Sequence, residues 1–132
     1  MSINWEDSDS HLLLNPNYTH EERGRYENIL LAAHEWKGHL WLSTSGTSSL
    51  KWVGLSKQAI LASAQAVNLH LQSVANDVWV NPLPQFHVGG LGILARAYLS
   101  GAACHDFKKV VPGKWQADLF YHYLSEVSCT LT

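Results

Sequence analysis

Cysteine is scarce in this chain: Cys104 and Cys129 are the only two among 132 residues, and no CxxC spacing joins them. A lone pair of this kind builds neither a disulfide framework nor a zinc site, and it reads as two buried thiols in a reducing compartment. Long apolar runs are also missing, since polar residues interrupt every stretch well short of the roughly 18 needed to span a bilayer. Met1–Ser10 has no basic start and no apolar core, and it carries Glu6, Asp7 and Asp9, which excludes a signal-peptide pattern. A cytoplasmic location is the expectation, with no membrane partner. Charge is sparse, at 15% of residues and a net −2, which argues against nucleic acid as a partner. Eight histidines are scattered with no HxH and no HExxH, so no metal site is expected.

Two motifs of phosphate and acyl chemistry are absent as well. No GxxxxGK followed by Ser or Thr occurs: Lys51 stands five residues after Gly46, where a second Gly is required, and Trp52 follows it. No GxSxG is present, so a serine-hydrolase elbow is excluded.

What is present is a 46% hydrophobic chain of a length for about one domain. Residues 1–18 read as an irregular lead-in that ends in the turn signal Asn15-Pro16-Asn17. Thr19 and Glu22 form a capping box, which predicts a helix from there to about Trp36 with Tyr26, Ile29, Leu30, Ala33 and Trp36 inward. Lys37-Gly38 stops it. His39–Ser43 and Lys51–Leu55 read as two strands of a hairpin. Ser56 caps a helix to about Gln72, with Ile60, Ala64, Val67, Leu71 and Val74 on one stripe. Asp77–Asn81 reads as a strand buried on both faces. Pro82-Leu83-Pro84 breaks the chain, Gln85–Gly90 follows, and a helix then runs to about Ser100 and stops at Gly101. Ala102–His105 is a weak strand, a helix is expected from near Pro112 to about Val127, and Cys129–Thr132 has strand character. Strands and helices alternate after residue 38, so the fold class is α/β around a mostly parallel sheet, with a β-hairpin at the Ser/Thr loop. The apolar ending predicts that 1–132 is a single, incomplete portion of something longer.

The loop Ser43–Lys51 concentrates hydroxyls and one glycine, with a lysine at its far end. Small residues let the backbone approach an anion, hydroxyls and amides donate to it, and a lysine adds a point charge. The same composition also makes an ordinary turn. The order of the residues goes further. Thr44-Ser45-Gly46-Thr47-Ser48-Ser49-Leu50-Lys51-Trp52-Val53 resembles the phosphate loop of the adenylate-forming enzymes, whose pattern is TSGTTG, one variable residue, then PKGV. It departs at Ser49 for Gly, Leu50 for Pro and Trp52 for Gly, and is one residue shorter. Pro82-Leu83-Pro84-Gln85-Phe86-His87-Val88-Gly89-Gly90-Leu91 is similar to a second segment of that superfamily, lPlfHvgGl. The run Phe86–Ala102 looks most like the o-succinylbenzoate–CoA ligases of menaquinone synthesis, and Arg96 sits where such enzymes often carry a basic residue.

This resemblance implies the N-terminal portion of an AMP-binding domain, in an acid–thiol ligase that adenylates a carboxylic acid with ATP and passes the acyl group to CoA. Mg²⁺ would accompany the ATP. Thr44, Ser45, Gly46, Thr47 and Ser48 would wrap the β- and γ-phosphates, and Lys51 would balance their charge. His87 takes the catalytic position, and Phe86, His87, Gly89 and Gly90 line the acyl side. The implied partners are a small carboxylic acid, ATP, CoA and the remainder of the synthetase chain. Two other readings stay open: a non-catalytic binding module on the same fold, and a ligase for another aromatic or fatty acid.

Overall fold

The computed structural model describes residues 2–44 and 50–106. The helix expected near 112–127, the strand at Cys129–Thr132 and loop residues 45–49 lie outside the described residues. The lead-in is less irregular than its sequence suggests. It contains a short strand, β1 (His11–Leu13), which pairs in parallel with β2 (His39–Ser43). Trp5 and Leu13 of this segment are buried in the core. Three residues without obvious alternation give little periodic signal, and only pairing to a distant strand makes them one. The segment is fastened by backbone and hydroxyl bonds: Gly38 N donates to Ser8 O at 2.7 Å, and Ser10 Oγ donates to Trp36 O at 2.8 Å.

Thr19 caps α1 (His20–Ala32) as the spacing predicts: Glu22 N donates to Thr19 Oγ1, and Thr19 N donates to Glu22 Oε2 at 2.8 Å. The helix ends four residues before Trp36, which is 59% exposed and takes no part in the inward face. No residue of α1 is fully buried. Its hold on the sheet is aromatic instead: the Tyr26 ring lies tilted at 5.1 Å from Tyr18 and at 5.1 Å from Trp52.

β2 runs antiparallel to β3 (Trp52–Ser56), with His39 opposite Ser56 and Ser43 opposite Trp52. The pleat sends Leu40 and Leu42 into the core and His39, Trp41 and Ser43 to the other face. Ser56 then caps α2 (Lys57–Leu71) by accepting from Ala59 N at 3.0 Å. Ile60 and Ala64 are buried as the stripe requires, whereas Leu71 and Val74 are 56% and 55% exposed. The stripe continues past the point where a neighbour covers it.

β4 (Val78–Asn81) is only partly covered except at Asn81, so it is not a strand buried on both faces. It pairs in parallel with β5 (Ala103–Asp106) across α3 (Val88–Ser100). The result is the expected α/β alternation with a hairpin at the Ser/Thr loop, its strands divided between a three-stranded sheet, β1-β2-β3, and a two-stranded one, β4-β5. One apolar cluster spans the lead-in, β1, β2, α2 and α3: Trp5, Leu13, Leu40, Leu42, Ile60, Ala64, Leu91 and Ala95. Both Leu42, two residues before Thr44, and Leu91, just after Gly90, belong to it, so the two motif segments are carried on one core.

Lys57 is a residue that the sequence did not single out. It opens α2, where a cation opposes the helix dipole, yet it is only 4% exposed. Its ammonium donates to Asn4 O at 2.7 Å and pairs with Asp7 at 2.5 Å. The Lys57 bond holds the Asp7 carboxyl below the usual carboxylate range. The pair latches the lead-in to the start of α2.

Candidate functional site

The hairpin fixes the base of the hydroxyl-rich loop. Thr44 N donates to Lys51 O at 2.8 Å, and Thr44 Oγ1 donates to the same carbonyl at 3.3 Å. The first and last site residues of the loop therefore stand directly across from one another. Ser45, Gly46, Thr47 and Ser48 lie between them, outside the described residues. Lys51 is exposed, and its ammonium has no partner among the described residues. A solvated cation beside the mouth of a hydroxyl loop suits an anionic guest. Trp52, which replaces a glycine of the superfamily pattern, has a local use here: it receives Tyr26 and so docks α1.

The second segment is built more tightly. Asn81, at the end of β4, is 1% exposed. Its Nδ2 donates to Gly90 O at 3.2 Å and its Oδ1 accepts from Leu83 N at 3.1 Å. One side chain thus ties the proline turn to the first turn of α3. His87 N donates to Pro84 O at 3.1 Å, and His87 O accepts from Leu91 N at 3.0 Å, so His87 is the N-cap. The helix begins at Val88, which puts Gly89 and Gly90 inside its first turn instead of ahead of it. A Cβ on Gly90 would strike the Pro84 carbonyl oxygen and stand 2.9 Å from Leu83 O. Close approach of helix and turn requires glycine here.

Phe86 packs partly against the apolar cluster, and its ring lies 4.7 Å from that of His87 at 44°. His87 makes no side-chain cap bond to its own helix. Arg96, further along α3, sets its guanidinium 5.8 Å from the centre of the Trp79 ring, and its Nε is buried without a hydrogen-bond partner. Cys104 in β5 is half-buried, and burial with Asp106 nearby pushes its thiol up, so it is a poor nucleophile. Among the described residues no three His, Cys, Asp or Glu side chains come together to hold a metal. No described helix is long and apolar enough to cross a membrane.

Sequence reasoning marked Thr44, Lys51, Phe86, His87, Gly89 and Gly90 as candidates, and the structure places the first two at one hairpin base and the other four at one helix start. It did not single out Asn81, whose signal was a lone amide closing an apolar run just before a proline.

This arrangement of elements has the fold of the adenylate-forming ligases. Solved structures that share it include o-succinylbenzoate CoA synthetase (MenE) from Bacillus subtilis with the acyl-adenylate intermediate OSB-AMP: 19% identity, TM-score 0.62, 87% of this chain and 40% of that one. The same enzyme in complex with AMP matches at 24% identity and TM-score 0.56, over 66% of this chain and 17% of its own. An E. coli MenE variant with bound OSB-AMS is 35% identical over 53% of this chain and 16% of its own, at TM-score 0.49. The chain thus spans well under half the length of the structures it resembles. No family model and no curated protein matches it.

Proposed function

We propose that this chain is an N-terminal portion of the AMP-binding domain of an ATP-dependent acid–CoA ligase. The ligase would adenylate a carboxylic acid and transfer the acyl group to CoA. o-Succinylbenzoate is the leading candidate acid, with menaquinone synthesis as the setting and the cytoplasm as the location. The observation that carries the reading is the Thr44–Lys51 bond at 2.8 Å. It joins the two ends of the superfamily-like loop and sets the lysine beside Thr44 at its base. Likeness of fold to synthetases solved with AMP and with an acyl-adenylate supports it.

In this reading the residues hold and orient. Thr44, Ser45, Gly46, Thr47 and Ser48 cradle the β- and γ-phosphates of ATP, and Lys51 offsets the charge that builds on pyrophosphate as it leaves. Phe86, His87, Gly89 and Gly90 form the acyl side, with His87 beside the reacting carboxylate. Arg96 supplies a half-buried cation for an acid that carries a second anionic group. Mg²⁺ would come with the ATP; among the described residues no three His, Cys, Asp or Glu side chains gather to hold it. CoA, like ATP, is a substrate of the whole ligase.

A second reading, a binding module that kept the fold without the chemistry, draws on the same loop. Trp52 serves to dock α1 where the superfamily pattern has glycine. ATP–pyrophosphate exchange separates the two. A longer protein containing this chain is expected to exchange when o-succinylbenzoate is supplied, and Lys51→Ala is expected to slow it at least tenfold with folding intact. The isolated 132-residue chain is expected to be inactive. Exchange by the isolated chain would refute the incomplete-portion reading, and kinetics unchanged by Lys51→Ala would remove Lys51 from the site.

A further inference from the structure

Three residues around α3 each carry a buried polar atom without a partner: Arg96 Nε on α3 itself, Asn68 Oδ1 on α2 and Trp79 Nε1 on β4. Asn68 of α2 donates through Nδ2 to Arg96 O at 2.9 Å, which pins the backbone of the arginine. The side chain then folds back along α3 toward the helix start, over the Trp79 ring. Room for it comes from Gly92, one turn earlier on the same face. A Cβ on Gly92 would stand 3.4 Å from Nη2 of Arg96 and 3.9 Å from Cζ. A methyl there makes ordinary contact, and any larger side chain occupies the place of the guanidinium. Gly92 lies five residues past His87, about 7.5 Å along the helix axis, so the cation is directed toward the His87 end.

We propose that Gly92 is a positioning residue: its missing side chain keeps a slot in which the Arg96 guanidinium lies against Trp79 and meets a carboxylate. The anion-meeting part rests on the reading of this chain as part of a carboxylic-acid ligase; the slot itself does not. Gly92 would then decide whether the pocket accepts an acid with a second anionic group. Its own backbone needs no glycine, for its φ is not positive. The glycine serves the arginine.

The test uses the 132-residue chain with ¹⁵N in its three arginines, Arg23, Arg25 and Arg96. The Arg96 Nε–H resonance, assigned by its loss in Arg96→Lys, is expected to show a ring-current shift and slow solvent exchange relative to exposed Arg25. Gly92→Ala should leave both in place. Gly92→Val should move the resonance toward that of Arg25 and speed its exchange at least tenfold, with circular dichroism unchanged. Gly24→Ala, at a site with nothing within 4 Å of the new methyl, is the control. Sodium benzoate should shift the Arg96 resonance in the wild-type and Ala chains, and should need about tenfold more in the Val chain. If Val does not fold, Gly92→Ser takes its place with the same expected ordering. A folded Val chain with an unmoved Arg96 signal would overturn the slot. Benzoate that shifts Arg96 and Arg25 alike, or shifts neither, would overturn the anion site. Failed ATP–pyrophosphate exchange would strike the ligase reading alone, because the Arg96 resonance in Gly92→Val decides the slot without any turnover.

Discussion

The two motif segments ride on one apolar cluster but are built in opposite ways. Among the described residues, the Thr44–Lys51 loop is tied at its base, through one backbone pair and one hydroxyl, and its lysine is exposed and unpaired. The Pro82–Leu91 segment is fixed from several directions: a buried amide bonded on both sides, a backbone bond from His87 N to Pro84 O, and glycines that admit the turn onto the helix. The difference matches the work proposed for each. A loop that wraps polyphosphate must admit a charged, hydrated guest and release pyrophosphate, and an exposed lysine at its base suits that work. A wall of an acyl pocket gains from being set before the substrate arrives, because ordering costs are then met during folding.

The largest effect expected from this contrast is at Gly90. Gly90→Val would drive a side chain into the carbonyls of Pro84 and Leu83, and backbone cannot rotate aside as a long side chain can. A loss of about 3 kcal/mol or more is expected in urea denaturation, at the upper end of overpacking costs. Lys51→Ala should change stability by no more than about 0.5 kcal/mol. Should the two variants unfold at the same urea concentration, the contrast between the segments is gone.

Asn81→Leu comes next. The shape is nearly kept, so the cost is that of leaving Leu83 N–H without its partner and Gly90 C=O without its second donor, about 1–3 kcal/mol. It also has a local signature. Exchange of the Leu83 amide should speed more than that of α2 amides, and uniform acceleration would mean that Asn81 supports the core in general and not this turn.

The latch at the far end of the hairpin sharpens the comparison through pH. The Lys57 bond lowers the Asp7 pKa on folding. Its stabilising effect is therefore fully present above the ordinary carboxylate value of about 4, and is lost as pH falls through the lower folded value. The melting temperature of Asp7→Asn should lie below that of the parent at pH 6 and converge with it on acidification. A gap that stays constant down to pH 2 would assign the effect to something other than the carboxylate charge.

Much of this was legible because short-range chemistry dictated it. The capping box at Thr19, the Ser56 cap, the hairpin and the Gly101 stop each depend on a few adjacent residues, and each lies where the sequence puts it. The misses depend on distant partners. β1 exists only because β2 accepts it, and Lys57 is buried only because Asn4 and Asp7 reach it across the chain. Leu71 and Val74 continue a helical stripe that nothing described covers. The motif residues were legible for another reason: their order resembled a superfamily pattern, and the structure sets Thr44 beside Lys51 and groups Phe86, His87, Gly89 and Gly90 at one helix start.

A contrast in build recurs, at smaller scale, in α2 and α3. Both end in a left-handed residue that returns the chain. α3 uses Gly101 at φ 73°, whereas α2 uses Gln72 at φ 56°. A Cβ in that region crowds the neighbouring carbonyl, at roughly 1–2 kcal/mol. Gln72 repays part of this through its backbone, whose N–H reaches the Asn68 and Leu69 carbonyls, and glycine would keep those bonds. Gln72→Gly relieves the crowding but frees the unfolded chain, which takes back somewhat less than 1 kcal/mol. The net expectation is a gain of about 0.5 kcal/mol, read as a small rise in the urea midpoint with unchanged slope. Gly101→Ala, the reverse exchange on α3, should cost about 1 kcal/mol. If both substitutions destabilise equally, the left-handed end of α2 carries no strain, and its glutamine side chain contributes contacts that outweigh the crowding.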